Sequence, residues 1–345
     1  MKLYSKIAEL ELEVKKVTTE TREKQVSENF TRKTTVVRIE GEGDTGRGED
    51  VIYETEKHVY PELELEGSYN FQDFSEKLDE VELFPVDIEH SETDANYRRW
   101  AVESAALDLA LKQNDLSLAE ALEREYSPLR FVVSPSMDGP DIGKLEELIE
   151  VNPSIEFKLD ASEEWDEGFV EKLRKMDRVR VADLKGHYEN EVAMAPDPGV
   201  YRLVAEELGA LIEDPKITEE TRKVLENYQE RITWDKPITG IQSIKDLPFR
   251  PEVLNIKPSR FGTVKSLLDT IEYCIDNRIE MYGGGQFELG VGREHIHAVA
   301  SIFYPDSPND VAPRIYNQEE VPEEVPKSPL EPEEELEGIR WRYQN

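Results

Sequence analysis

Hydrophobic and polar positions alternate with period two through the start of the chain, in "IAELELEVKKV" and again in "KTTVVRIEGEG". Such alternation predicts half-buried strands, with Gly41, Gly43, Gly46 and Gly48 marking turns, so residues 1 to about 60 read as an antiparallel sheet. Between residues 70 and 124 the period lengthens to that of a helix. It is clearest in "NYRRWAVESAALDLALKQ", where Ala and Leu recur at i, i+3 and i+4. Together these parts make a small α+β unit.

From residue 130 the pattern changes to short apolar runs, each followed by an amphipathic stretch: "LRFVVS", "SIEFKLD", "RVRVADLKG", "LGALIEDP", "RITWDKP", "EVLNIKP" and "RIEMYGGG". Runs of this length, apolar on both faces, are those of a buried parallel sheet. The segments Glu167 to Met176 and Thr263 to Asn277 are two of the helices between them. A series of this many strand-then-helix units predicts a (β/α) barrel rather than an open sheet. The tail, "QEEVPEEVPKSPLEPEEELEG", is acidic and proline-rich and reads as an extended strap over the surface.

Charge narrows the range of partners. The 345 residues carry 76 Asp and Glu against 42 Lys and Arg, a formal net charge of -34. A field of that sign repels nucleic acid and anionic membrane, and its spread along the whole chain fits a surface adapted to high salt, a halophilic protein. The single cysteine, Cys274, excludes an intrachain disulfide. The start of the sequence lacks the apolar core of a signal peptide, and no run approaches a membrane span, so the expected location is the cytoplasm.

A barrel presents its chemistry at the C-terminal ends of its strands. Read in order, those ends carry Lys158, Asp183, Glu213, Asp235 and Lys257, each step about 22 to 30 residues long, one strand–helix unit. Any one of them alone would be a helix cap or a rim residue with its charge in water. Five in series point at one mouth. Three converging carboxylates suit a hard divalent cation such as Mg²⁺, one per chain. A lysine beside such a cation loses basicity and can work as a base near neutral pH.

This arrangement resembles the enolase superfamily, most closely the branch of muconate lactonizing enzymes, o-succinylbenzoate synthases and dipeptide epimerases. The strand-six motif there is similar to "LNIKPSRFG", "GRGED" resembles an early G-x-G-E turn, and "YGGGQFELGVGREHIHAVASIF" resembles the seventh strand and the following helix. The resemblance implies an α/β chain: a capping domain over residues 1–125, a modified (β/α)7β barrel over 126–317, and a strap, 318–345, packing back. It implies Mg²⁺ on Asp183, Glu213 and Asp235, with Lys158 and Lys257 as the acid–base pair. The reaction implied removes the proton α to a small substrate's carboxylate, in dehydration, cycloisomerisation or racemisation. A homo-oligomer is expected, with neither nucleic acid nor membrane as partner.

The sequence also departs from that pattern. Strand two usually reads K-x-K with the second lysine catalytic, whereas here it is "FKLD". Lys158 matches either lysine, and Asp160 competes for the catalytic slot; Lys158 is assigned to it because Asp160 leaves an even shorter gap to Asp183. "DLK" puts Lys185 at the mouth where asparagine is usual, and "DK" puts Lys236 where glutamate is usual. Lys185, Asp160, Arg260, Gly284, Gly285, Gln286 and Glu288 are therefore substrate-binding candidates, with the "GGGQ" backbone and the next helix N-terminus offering a cradle for a carboxylate. Arg260 also reads as a loop anchor. His295 and His297 sit two apart on a helix, on different faces, and with His187 read as surface or packing residues. Residues 17–33 lie between two strands and read as a loop long enough to close the mouth as a lid. The rival readings are a non-catalytic barrel that binds a small acid, and a Schiff-base aldolase on Lys257.

Overall fold

The computed structural model describes residues 2–27, 30–137, 139–188, 193–318, 322 and 324–344. The N-terminal part pairs β1 (Glu11–Val14) with β5 (Gly67–Asn70), and stacks β2 (Lys16–Ser27), β3 (Phe30–Gly41) and β4 (Asp44–Asp50) into an antiparallel sheet. Helices α1 (Phe71–Leu78) and α2 (Glu92–Gln113) cover it, and a short α3 (Leu118–Ala121) follows. Ser91 starts α2 with a capping box shared with Asp94.

Gly46 and Gly48 are strand residues within β4, not turns. A Cβ on Gly46 would lie 2.0 Å from the Ala105 carbonyl oxygen, and one on Gly48 2.0 Å from that of Ala101. The glycines are there because the backbone of α2 lies directly on the strand.

Residues 17–33 form a ribbon and not a loop. The pairing of β2 with β3 runs from Lys16 opposite Glu40 to Gln25 opposite Thr31, with a bulge before Ser27 meets Phe30. Thr18, Thr19 and Thr21 on β2 and Thr31, Thr34, Thr35, Val36 and Val37 on β3, residue types that favour strands, carry the ribbon through the segment expected to be a loop. The tip, residues 28 and 29, lies outside the described residues, and the expectation of a lid there is not addressed by them.

The C-terminal part alternates strand and helix. Helix α4 (Gly143–Val151) leads to β6 (Phe157–Asp160), α5 (Glu167–Met176) to β7 (Val179–Asp183), and α6 (Pro198–Glu207) to β8 (Leu211–Glu213). Then α7 (Glu219–Leu225) leads to β9 (Ile232–Thr233), α8 (Ile241–Lys245) to β10 (Val253–Ile256), α9 (Val264–Asp276) to β11 (Glu280–Gly283), and α10 (Gly292–Phe303) completes the series. Strands β6 to β9 pair in parallel in chain order, as do β10 and β11. The Asn255 N–H donates to the Trp234 carbonyl at 3.1 Å and joins the two groups. Parallel bridges of Gly284 with Asp310, Phe131 with Asn309, and Val133 with Phe157 carry the ladder round. The result is a (β/α) barrel beneath an N-terminal cap.

The end of the chain returns along the surface. Leu330 exchanges two backbone hydrogen bonds with Leu129, Gly338 bonds with Leu116 and Leu118, and Trp341 is fully buried. Of the strap expected over 318–345, residues 319–321, 323 and 345 lie outside the described residues. No helix among the described residues is long and apolar enough to cross a membrane.

Candidate active site at the C-terminal ends of the barrel strands

Register sets the heights of the ionisable groups. Asp160 pairs with Asp183, Asp183 with Glu213, and Glu213 with Thr233, so these four share one rung at the strand ends. Two residues past Thr233 comes Asp235; directly after β10 comes Lys257; directly after β11 comes Gly284. Lys158 pairs with Val181, one side-chain step lower in the barrel. Strand alternation turns residues two apart to the same face, so Lys158 and Asp160 lie one above the other on the inner wall.

Asp183, Glu213 and Asp235 are all fully buried. Lys158, its side chain 2% exposed, places its ammonium on Glu213, 3.3 Å from Asp183 Oδ2 and 3.5 Å from Asp310 Oδ2. Lys185 donates its backbone N–H to Asp183 Oδ1 (3.0 Å), and its Nζ lies 2.6 Å from Asp183 Oδ2 and 3.2 Å from Asp160. Lys257 Nζ stands 2.8 Å from Asp235 Oδ2. Arg260 grips Asp235 with two guanidinium hydrogen bonds of 2.5 and 3.2 Å, and the Tyr188 hydroxyl donates to it at 3.3 Å. The other Glu213 oxygen accepts from Tyr282 and, at 3.2 Å, from Asn255.

Opposed forces set the charge states. Burial works against the charge on Asp183, yet Lys158 and Lys185 hold its carboxyl below the usual range; Arg260 and Lys257 do the same for Asp235. Burial would lower Lys158, but Glu213, Asp183 and Asp310 keep it well above the ordinary lysine value. Glu213 goes the other way. Burial, with Asp183 and Asp235 alongside, pushes it up to about 8 despite Lys158. Asp214, whose oxygens accept the backbone N–H groups of Asp235 and Lys236, is lifted to about 7 by burial and by the neighbouring Asp235 and Asp183.

These observations test whether a divalent cation belongs here. Six carboxylates, Asp160, Asp183, Glu213, Asp214, Asp235 and Asp310, share the site with four cations, Lys158, Lys185, Lys257 and Arg260. Positive charge is in deficit, and the lift on Glu213 and Asp214 expresses it. The donors are hard carboxylate oxygens from successive strands, and they fit Mg²⁺. Their present packing differs from the expected ligand cage. The Lys158 ammonium holds Asp183 and Glu213, Asp235 is turned to Lys257 and Arg260, and no three acidic, His or Cys side chains among the described residues converge on one point. Loading a cation requires Lys158 to give way.

The "GGGQFELG" loop differs from expectation too. The N–H groups of Leu289 and Gly290, just before α10, and of Gly292, its first residue, all donate to Glu49 of the cap at 2.7 Å, and the Gln286 N–H donates to Glu288. The anion cradle is thus filled from within the protein. Arg32 on β3, fully buried, donates to the carbonyls of Gln286 and Phe287 as well as those of Val51 and Ile52, fastening the loop to the cap. A Cβ on Gly285 would meet Glu288 Oε2 at 2.6 Å. With its amide turned to suit its neighbours, Gln286 accepts from Tyr97 (3.1 Å) and from Arg260 (3.0 and 3.1 Å). Arg260 is therefore a clamp on Asp235 and Gln286. Lys236 is exposed, its ammonium 4.6 Å from the centre of the Tyr188 ring. His295 and His297 are buried packing residues, and burial pushes both down to about 3.

Residues that sequence reasoning missed include Glu49, Arg32, Asp214, Tyr282 and Asp310. Three of them lay in stretches already singled out: Glu49 is the first acid of "GRGED", Tyr282 opens "YGGGQ", and Asp214 is the second acid of "EDP".

The cap, the barrel and the row of groups at its strand ends define the fold of the enolase superfamily. A superfamily member from Listeria innocua superposes with a TM-score of 0.63 at 20% identity, covering 87% of this chain and 86% of that one. A dipeptide epimerase from Methylococcus capsulatus, complexed with a Mg ion, gives 0.67 at 17% identity over 96% of this chain and 100% of its own. At these identities the likeness establishes the fold. In sequence, an o-succinylbenzoate synthase of Listeria innocua is 28% identical over 215 residues, 58% of this chain and 55% of that protein. The chain spans little more than half the length of the curated relatives it matches. Within the superfamily fold, the chain belongs to the DUF8230 family, described as a domain of unknown function. Its N-terminal domain matches residues 5–121 and its C-terminal domain residues 125–318.

Proposed function

We propose that this protein is a lyase or isomerase that removes the proton α to the carboxylate of a small substrate. The observation that carries the reading is the placement of Lys257: an ammonium at a strand tip, 9% exposed, paired with Asp235 and facing the mouth. A divalent cation held by Asp183, Glu213 and Asp235 supplies, when bound, stabilisation for negative charge developing on the substrate oxygens. Lys257, as the neutral amine, is the group placed to take the α-proton. Arg260 holds Asp235 in position through two hydrogen bonds and so fixes the partner from which Lys257 works. Tyr53 and Tyr97, whose hydroxyls meet Gln286, line the cap side, and Tyr97 is buried there.

The names of the similar proteins support the substrate class, a carboxylic acid with an acidic α-carbon. Incubation in D₂O with Mg²⁺ and an L,L-dipeptide, followed by proton NMR, tests the reading. Deuterium should enter at the carbon α to its carboxylate with the native protein and not with K257A. No exchange under conditions where the dipeptide binds rejects it. That outcome is the one required by a non-catalytic binder, which the saturation of every oxygen of the ligand set by protein donors favours. Borohydride trapping of an adduct on Lys257 identifies the Schiff-base alternative.

A further inference from the structure

We infer that Lys185, and not Lys158, is the second ammonium to meet the substrate, opposite Lys257, and that Asp160 positions it. The inference rests on the carboxylate-substrate reading above.

Height comes first. Lys158 lies a step below the rung of Asp160, Asp183 and Glu213, its side chain 2% exposed and its ammonium held by three carboxylates. It cannot reach a ligand at the mouth without abandoning them. Lys185 follows β7 by two residues, above that rung, and its side chain is 16% exposed. Its backbone is left-handed, φ +49°, a conformation that few non-glycine residues adopt. That turn folds the residue back on Asp183, which accepts both its N–H and its ammonium, instead of letting the side chain run outward.

A second acid fixes the direction. Asp160, level with Asp183 and its side chain 56% exposed, lies 3.2 Å from Lys185 Nζ. The Tyr188 ring, 5.3 Å away, adds a π-face. The ammonium is thus held by groups from two strands while part of it stays open to the mouth. Lys257 sits beyond Asp235, on the side of the mouth formed by β10. A carboxylate entering between them finds a cation on each side, from β7 and from β10.

The test uses the full chain in molar KCl with Mg²⁺ and 2-succinylbenzoate as probe. Acetylation with an N-hydroxysuccinimide ester, read by mass spectrometry, should modify Lys185 in the free protein, spare Lys158, and be suppressed at Lys185 by the probe. In calorimetry, K185M should weaken probe binding by about tenfold or more, with K185R recovering most of it and the melting temperature little changed. D160N should weaken binding less than K185M. Modification of Lys158 with Lys185 silent, modification of neither, or K185M binding the probe as the native protein does would each overturn the assignment. Failure of the native protein to bind the probe counts against the proposed substrate class instead, and the labelling pattern in the free protein still decides between the two lysines.

Discussion

Gly284 lies against Lys257 so closely that a Cβ placed on it would be 2.7 Å from Lys257 Cε and 2.7 Å from Asn255 Oδ1. The backbone of the loop after β11 is one wall of the channel through which the lysine side chain reaches the mouth. Gly284→Ala should displace Lys257 from Asp235 and lower turnover by about tenfold or more, while overpacking costs about 1–3 kcal/mol of stability. Kinetics and thermal melts of the variant check both parts; unaltered turnover would show that the position of Lys257 is not set here.

The competition between Lys158 and a metal has a measurable sign. Asp183→Asn and Glu213→Gln should each weaken Mn²⁺ binding by more than about tenfold, whereas Lys158→Met, which removes the competing ammonium, should tighten it. Electron paramagnetic resonance of free Mn²⁺ reports all three. Equal affinity across the set would place the ion elsewhere on the acidic surface.

Buried histidines make the fold acid-sensitive. Among the described residues His295 finds no hydrogen-bond partner for either ring nitrogen, and His297 Nε2 meets the Val311 carbonyl at 2.7 Å. Both are pushed down to about 3 by burial, against about 6.5 in the unfolded chain. Between those values the unfolded state binds more protons, so stability is full above pH ~6.5 and falls as pH drops toward ~3. The melting temperature of His295→Leu should decline less steeply between pH 6 and pH 4 than that of the native protein. An identical slope would mean that His295 takes up its proton without unfolding.

The charge of -34 predicts a requirement for salt. The Debye length shrinks from ~30 Å at 0.01 M to ~3 Å at 1 M, which removes most repulsion across the surface. Melting temperature should rise continuously with KCl toward the molar range, and a curve flat in salt would dismiss the halophilic reading.

The order of the barrel strands, and Asp183, Glu213, Asp235 and Lys257 at or just past their ends, were legible because one strand–helix unit recurs at a nearly constant length. The helix Glu167–Met176 shows how closely local signals can work, since Asp166 caps it and Asp177 ends it in a left-handed turn. Depth was not legible. Nothing in "FKLD" says that Lys158 lies below the rung and Asp160 on it, because register belongs to a pairing with β7 that the strand does not encode alone. Gly46 and Gly48 were misread for the same kind of reason: a glycine that admits a helix looks, in sequence, like one that makes a turn. The ribbon of β2 and β3 was mistaken for a loop because its outer half carries few large apolar residues.

Glu49 carries a consequence for how such chains can be recombined. Its carboxylate, from the cap, terminates three N–H groups of the barrel from 240 or more residues away. Grafting a foreign cap onto this barrel to change its specificity would strand those buried donors unless the graft brought an acid to the same place, and each bare donor costs about 1–3 kcal/mol. The two halves are therefore not interchangeable modules. A library of chimeras should keep position 49 with the barrel it serves and vary the cap around it.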